Sequence, residues 1–429
     1  MRFLYSIGWR LATPLVLAYL TLRALRQPEY LRHWGERFGR HAGRTDDAPL
    51  AWIHAVSVGE TRAAQPLVRA LREAHPGLRI LLTNMTPTGR ATARELFGDA
   101  VLQAYLPYDL PGAQRRFLRA WRPSVGLLME TEVWPNLMAE AERGGVPVAL
   151  VNARLSERSL ARGLRQRSLV VPAARRLARV LAQSPADAAR IARLGRAADA
   201  VTGNLKFDNA PDAGLLARGR GWRRRLGRPV LLAASTRDGE ERLLWEAWRA
   251  RARPAPDGPL LAIVPRHPQR FEPVVQAARA AGWQLARRAA LDDPAFDAAA
   301  VDLLIGDSMG EMDAWYGLAD CAVMGGSLQP FGSQNLIEAC AAGCPVLVGP
   351  STFNFAEAAA QAVAVGAARA VPDADAAVVA ALALLQDPAA RQAMAAAGLG
   401  FTAAHRGATT RTLAALAPLL ARLRCETPG

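Results

Sequence analysis

At 429 residues, with 51% hydrophobic and 6% aromatic content, the chain is too long for one typical core and too apolar for a disordered one, so two domains of about 200 residues each are expected. A formal charge of +15 favours an anionic partner, whether nucleic acid, acidic lipid or a phosphorylated substrate. Cys321, Cys340, Cys344 and Cys425 lack the paired spacing of a disulfide framework, and no cleavable signal pattern is present, which points to a reducing cytoplasmic setting.

Residues 3–22, FLYSIGWRLATPLVLAYLTL, are mostly apolar but broken by Arg10 and Pro14, and Arg23, Arg26, Arg32, Arg37, Arg40 and Arg44 follow. About 20 apolar residues can span a bilayer. The run without charge from Leu11 to Leu22 is 12 residues, which better fits a helix lying in the interface or inserted part way, with its arginines on anionic headgroups.

Beyond Pro49, apolar β-type runs alternate with helical patterns. The first, AWIHAVS from Ala51, breaks at Gly59 and delivers Glu60 to the start of a helix. Strands are expected at 79–85, 101–107, 125–130, 147–152, 179–184 and 199–204, with helices at 61–74, 88–96, 112–121, 134–143 and 185–194. Such alternation means a parallel sheet covered on both faces. The linker is placed in the arginine-rich segment 209–228 or just before it, after which alternation restarts with strands at 229–235, 260–266, 301–307, 321–326 and 345–349 and helices at 239–252 and 271–281. Alanine-rich helices from Phe355 to Leu423 close the chain. The fold class is therefore α/β, with two doubly wound Rossmann-like domains. The expected boundaries are 1–45 for the membrane anchor and basic flank, 46–210 for the first domain and 211–429 for the second.

In open α/β sheets, ligands bind beyond the carboxyl ends of the strands. Glu60 stands at such an end, where it either complements the helix dipole or takes a proton from a substrate hydroxyl. Of the 53 basic residues all but one are arginine, and the exception is Lys206, in GNLKFD. Either one codon survived by chance or this position needs a compact ammonium rather than a planar fork. In the second half, the loops AASTRDGEE, PRHP, GDSMGEM and GGSLQPFGSQNLIEA share a small, polar or basic character. Gly325, Gly326, Ser327 and Gly332, leading to a helix near Asn335, read as an anion site built from backbone amides. Glu338 could accept hydrogen bonds from ribose hydroxyls there. Asp373 and Asp375, the one Asp-X-Asp, read as helix capping, and the histidines show no ligand spacing, so no metal or other cofactor is expected.

The strings HAVSVGE, TPTGR, YLPYDLP, METEVWPNL, NARLSERS, GNLKFD, PRHP, DSMGEM and GGSLQPFGSQNLIE, in this order, resemble the 3-deoxy-D-manno-octulosonic acid (Kdo) transferases of lipopolysaccharide assembly. The resemblance implies a glycosyltransferase-B architecture, with the acceptor on the N-terminal domain and a nucleotide-sugar donor on the C-terminal one across a cleft. It implies CMP-Kdo as donor, a phosphorylated lipid A precursor (lipid IVA) as acceptor, and the cytoplasmic face of the inner membrane, with its anionic surface, as the setting. Carried over by position, the family's general base falls on Glu60, a site carboxylate on Glu130 and a site lysine on Lys206. Donor contacts fall on Arg266 and His267, on Met309, Gly310 and Glu311, and on Asn335, Leu336, Ile337 and Glu338. The chain departs from the family's usual Gly-Gly-His-Asn at Gly332, Ser333, Gln334 and Asn335, and from a usual proline at Ala339. Two rival readings stand beside this one: a UDP-linked sugar transferred by the same architecture, and an RNA-binding or membrane-scaffold protein. Dispersed arginines and the lack of aromatic stacking platforms weigh against nucleic acid.

Overall fold

Apolar runs buried on both faces of a parallel sheet organise both halves of the chain. The structure, a computed structural model, describes residues 1–25, 27–252 and 257–421, so Arg26, Cys425 and the expected helix end at Leu423 lie outside the described residues. It divides into two compact units, residues 1–209 with 405–429, and residues 210–404.

The first unit carries β1 (Leu50–His54), β2 (Arg79–Asn84), β3 (Leu102–Tyr105), β4 (Val125–Met129), β5 (Val148–Ala153), β6 (Arg179–Ala182) and β7 (Ala200–Val201). They form one seven-stranded sheet in the order β3-β2-β1-β4-β5-β6-β7, every pairing parallel. All five residues of β1 and of β4 are buried, as strands covered on both faces must be. The second unit carries β8 (Val230–Thr236), β9 (Leu260–Pro265), β10 (Leu285–Arg287), β11 (Leu303–Ile305), β12 (Cys321–Met324), β13 (Val346–Val348) and β14 (Ala368–Ala370). Its order is β10-β11-β9-β8-β12-β13-β14, again parallel throughout.

Three expectations need correction. The units divide between Asn209 and Ala210, at the start of the segment read as holding the linker, but most of that segment is the helix Ala213–Leu226, packed on the helix Met312–Leu318. The two backbones approach so closely that a Cβ on Gly219 would stand 1.9 Å from the Ala314 carbonyl oxygen, and one on Gly317 2.5 Å from that of Leu216. Gly219 and Gly317 are thus the contact surface of a helix crossing. Second, residues after 210 do not all belong to one domain: the helix Ala408–Leu420 packs Ala408, Leu416, Leu419 and Leu420 into the first unit's core beside Leu67, Leu71 and Leu205. Third, the N-terminal segment is no separate domain. Its helix, Arg2–Ala24, runs unbroken through Arg10 and Pro14 and docks on the first unit. There the Ser6 hydroxyl donates to Asn136 Oδ1 at 3.0 Å and the Trp9 ring stacks on Tyr108 at 5.9 Å. The helix is long and apolar enough to cross a membrane. Leu4, Leu11, Leu15 and Leu22, spaced by seven, four and seven residues, form one stripe exposed to 61–74%.

Candidate active site

The chain leaves β1 toward β2 on one side and leaves β4 toward β5 on the other, so the gap between the ends of these neighbouring strands is a topological switch point. Glu60 and Glu130 stand on its two sides. Glu130 directly follows β4, with φ of 58°, a left-handed conformation uncommon for a residue with a Cβ. Glu60 sits in the first turn of the helix Val58–Ala74, whose N-cap is Ser57. The Ser-Val-Gly-Glu spacing is that of a capping box. Here the carboxylate reaches one residue further back, accepting from the Val56 amide at 2.8 Å, and the Ser57 hydroxyl donates to it at 3.3 Å.

Lys206, in the short turn Leu205–Asp208 after β7, donates from Nζ to Glu130 Oε1 at 2.8 Å, and Arg154 Nε donates to Glu130 Oε2 at 3.0 Å. The structure therefore brings Glu130 and the only lysine into a buried ion pair, with Glu60 inside their electrostatic reach. Burial alone would push the Glu130 carboxyl up, but Lys206 and Arg154 outweigh it and hold the group below the usual carboxylate range. Glu60 has no such cation to itself. Burial, then the Glu130 charge, then that of Glu132 raise it to about 8, against the opposing Val56 amide and the Lys206 charge. Glu132 is raised too, first by burial, although Trp134 Nε1 donates to it at 2.8 Å. Two neighbouring carboxyls are thereby pushed apart, one ionised and one able to exchange a proton near neutrality.

In the second unit, β8 and β12 flank the corresponding switch point. Arg266, after β9, donates from Nε to Gln334 Oε1 at 3.1 Å, next in sequence to Asn335. Arg237 Nη1 lies 3.1 Å from His267 Nε2, which therefore accepts. Burial and the charges of Arg266, Arg237 and Arg270 lower His267 to about 4, so its ring is neutral near pH 7. Asn335 caps the short helix Leu336–Ala341, accepting from the Ile337 amide at 3.2 Å, and donates to Glu338 Oε1 at 3.0 Å. Leu336 and Ile337 are buried, so only their backbone could meet a ligand. Met309 is 47% exposed and Gly310 has φ of 80°. Glu311 spends its carboxylate internally, on Arg288 at 2.6 and 2.7 Å, on Arg218 at 3.1 Å and on the Ser308 hydroxyl.

The amide-built anion site expected at Gly325–Gly332 is already filled by the protein. The buried Glu240 carboxylate accepts from the amides of Gly326 at 2.6 Å, Arg237 at 2.8 Å, Leu328 at 3.0 Å and Gln329 at 3.3 Å. The Gly325 amide goes to the Ala234 carbonyl and that of Gly332 to the Ser351 hydroxyl. With these amides bound within the protein, the glycine-rich turn is framed around an internal anion.

Residues 32–209 match the family described as 3-Deoxy-D-manno-octulosonic-acid transferase (kdotransferase), and residues 298–399 match glycosyl transferases group 1. The 3-deoxy-D-manno-octulosonic acid transferase of Bordetella pertussis is 49% identical over 97% of this chain and 98% of its own. The chain belongs to the Kdo transferase family. A second Kdo transferase, from Haemophilus influenzae, is 36% identical over 98% of this chain and 99% of its own. At the level of fold alone, HepE of Anabaena, crystallised with UDP-glucose, aligns over 87% of this chain and 99% of its own with a TM-score of 0.59 and 12% identity. The protein is a glycosyltransferase of Kdo, built as two parallel-sheet α/β domains of the glycosyltransferase-B type.

For a Kdo transferase the structure adds residues that sequence reasoning passed over. Arg154 pairs with Glu130, Glu132 loads the pocket with a further acid, Arg237 and Gln334 hold His267 and Arg266, and Glu240 fills the glycine-rich turn. Arg154, Glu132, Gln334, Arg237 and Glu240 lie in the NARLSERS, METEVWPNL, GGSLQPFGSQNLIE and AASTRDGEE strings, but nothing local in those strings showed whom they pair with. Among the described residues no group of three or more His, Cys, Asp or Glu side chains could hold a metal ion. Asp373 caps the helix Ala374–Gln386 and Asp375 pairs with Arg251.

Proposed function

We propose that the protein transfers Kdo from CMP-Kdo to a phosphorylated lipid A precursor, lipid IVA, with inversion at the anomeric ketose carbon. The first domain handles the acceptor and the second the donor. Glu60 takes the proton of the acceptor hydroxyl as that oxygen bonds to the anomeric carbon, while the bond to the CMP phosphate breaks and its electron pair leaves with CMP. The single observation that carries this reading is Glu60: a carboxyl raised to about 8 at a switch point, beside an ionised Glu130. A base poised near the working pH is the efficient one. Lys206 keeps Glu130 ionised and supplies the positive charge that partly offsets the acids around Glu60. Glu130 in turn hydrogen-bonds the acceptor or stabilises positive charge developing on the sugar.

On the donor side, Arg266, His267, Met309, Gly310 and Asn335 through Glu338 form the CMP-sugar site, with Glu311 holding its loop rather than the ligand. Because Glu240 occupies the glycine-rich turn, the donor phosphate is met by the basic side chains. The Arg2–Ala24 helix, with its exposed leucine stripe and basic flank, lies in the interface of an anionic membrane on the cytoplasmic face of the inner membrane.

The test is to incubate purified protein with CMP-Kdo and lipid IVA and weigh the product by mass spectrometry. A mass gain of one or more Kdo residues, inhibited by CMP and not by UDP, is expected. No transfer from CMP-Kdo, or inhibition by UDP alone, would favour a UDP-linked donor and overturn the proposal.

A further inference from the structure

The turn that presents Lys206 is held by Asn204 Oδ1 at the Lys206 amide, by Asp208 at the amides of Gly407 and Thr409, and by one side chain of β5. Asn152 Oδ1 accepts from the Leu205 amide at 3.0 Å. Asn152 is fully buried and has φ of 52°, placing a second left-handed, Cβ-bearing residue next to Glu130. Met129 pairs with Val151 in the sheet, so Glu130 and Asn152 are lateral neighbours just beyond that pairing. The Glu130 amide donates to the Val151 carbonyl at 3.0 Å. At the same point β5 carries a bulge: Leu150 pairs with Val180, but Ala153, three residues on, pairs with Ala182, two residues on. A bulge re-aims the side chains of the strand that contains it. Here it sends Asn152 to the Lys206 turn and Arg154 to Glu130. Gln183 Nε2 braces the arrangement by donating to the Asn152 carbonyl at 2.9 Å. A left-handed residue costs free energy unless its surroundings require it, and such residues concentrate where geometry serves function.

We infer that Asn152 is a positioning residue for the transfer reaction, fixing the Lys206 ammonium against Glu130 through its bond to the Leu205 amide. The inference rests on the reading that Lys206 acts in the reaction. Displacing a working group by about 1 Å can cost on the order of a hundredfold in rate. Asn152→Gly is the informative variant, because glycine keeps the left-handed backbone at no steric cost and removes the side chain that carries the acceptor.

The experiment is a double-mutant cycle of Asn152→Gly and Lys206→Ala with CMP-Kdo and lipid IVA, following kcat, KM for donor and thermal stability. Residues that act through one another are non-additive. Asn152→Gly is expected to lower kcat about ten- to a hundredfold with donor KM within about threefold, and to cost less than about threefold more when Lys206 is already alanine. An undiminished loss in the Lys206→Ala background would overturn the inference. If Lys206→Ala alone leaves the rate unchanged, the proposed role of the lysine fails instead, which separates the two claims. Asn152→Asp serves where the glycine variant does not fold: it keeps an oxygen for the Leu205 amide and is expected to stay within about tenfold of wild type. A larger loss in Asn152→Asp would contradict the assignment.

Discussion

At the first sheet's switch point three carboxyls, Glu60, Glu130 and Glu132, share Lys206 and Arg154, and both cations go to Glu130. Around the second sheet's switch point three acids that bear on the loops are matched from within. Glu240 takes four backbone amides, Glu241 takes the Thr236 hydroxyl and Arg270, and Glu311 takes Arg288, Arg218 and Ser308. The same fold thus uses acids in two ways. In the first unit cations are rationed so that one carboxyl stays under-neutralised, which a proton acceptor needs. In the second, these three acids serve as fixed internal anions that stiffen loops, and beside Glu338 the side chains left over are basic or neutral, Arg237, Arg266 and His267.

The contrast can be broken at either end. The largest effect should follow Glu60→Gln, which keeps the shape and an oxygen for the Val56 amide but cannot take a proton. Turnover should fall about a thousandfold with CMP-Kdo affinity unchanged, within the range general bases contribute. Retention of most turnover would remove Glu60 from the mechanism. Next, Lys206→Ala leaves a buried Glu130 with Arg154 alone. A stability loss of up to about 3 kcal/mol by chemical denaturation is expected, the low end for a broken buried pair because one cation remains. Loss of the Lys206 charge should also move the rate profile to higher pH, since that charge lowers Glu60.

In the second unit Glu240→Gln replaces a four-amide acceptor with a group that itself donates. About 2 kcal/mol of stability and a weaker grip on CMP are expected by denaturation and calorimetry, with the pH profile of turnover unmoved. A shifted profile would erase the distinction between the two regions. A further effect is a linkage one. A carboxyl raised from 4.5 to about 8 by folding gives stability that is full below pH 4.5 and lost as pH rises to about 8. Glu60→Gln should therefore gain in melting temperature over wild type across that window and hold a constant lead above it.

Much of the architecture was legible because buried parallel strands read as short apolar runs. The place of Glu60 in the first turn of a helix after a strand was legible because a glycine and an acid follow an apolar run. Lys206 stood out by composition, and its pairing with Glu130 gives that singularity a physical reason: a compact ammonium fits a buried carboxylate already forked by Arg154. What escaped reading did so for equally physical reasons. A helix crossing that requires Gly219 and Gly317 looks like a linker along the chain. The strands β10 and β14 have three residues each, too few for a period. The return of Ala408–Leu420 to the first core is a long-range contact with no local mark. A glycine-rich turn reads the same whether its anion is a ligand or Glu240. The bulge at Asn152 depends on the register between β5 and β6, which exists only once the sheet has formed.

The most direct measurement is the pH dependence of kcat/KM for the acceptor, at saturating CMP-Kdo, in wild type and Glu60→Gln. The wild-type rate should rise with pH to half its plateau near pH 8, where the Glu60 carboxyl loses its proton, and the inflection should vanish in the variant. A wild-type profile flat from about pH 6 to 9, or the same inflection in Glu60→Gln, would mean that another group carries the proton.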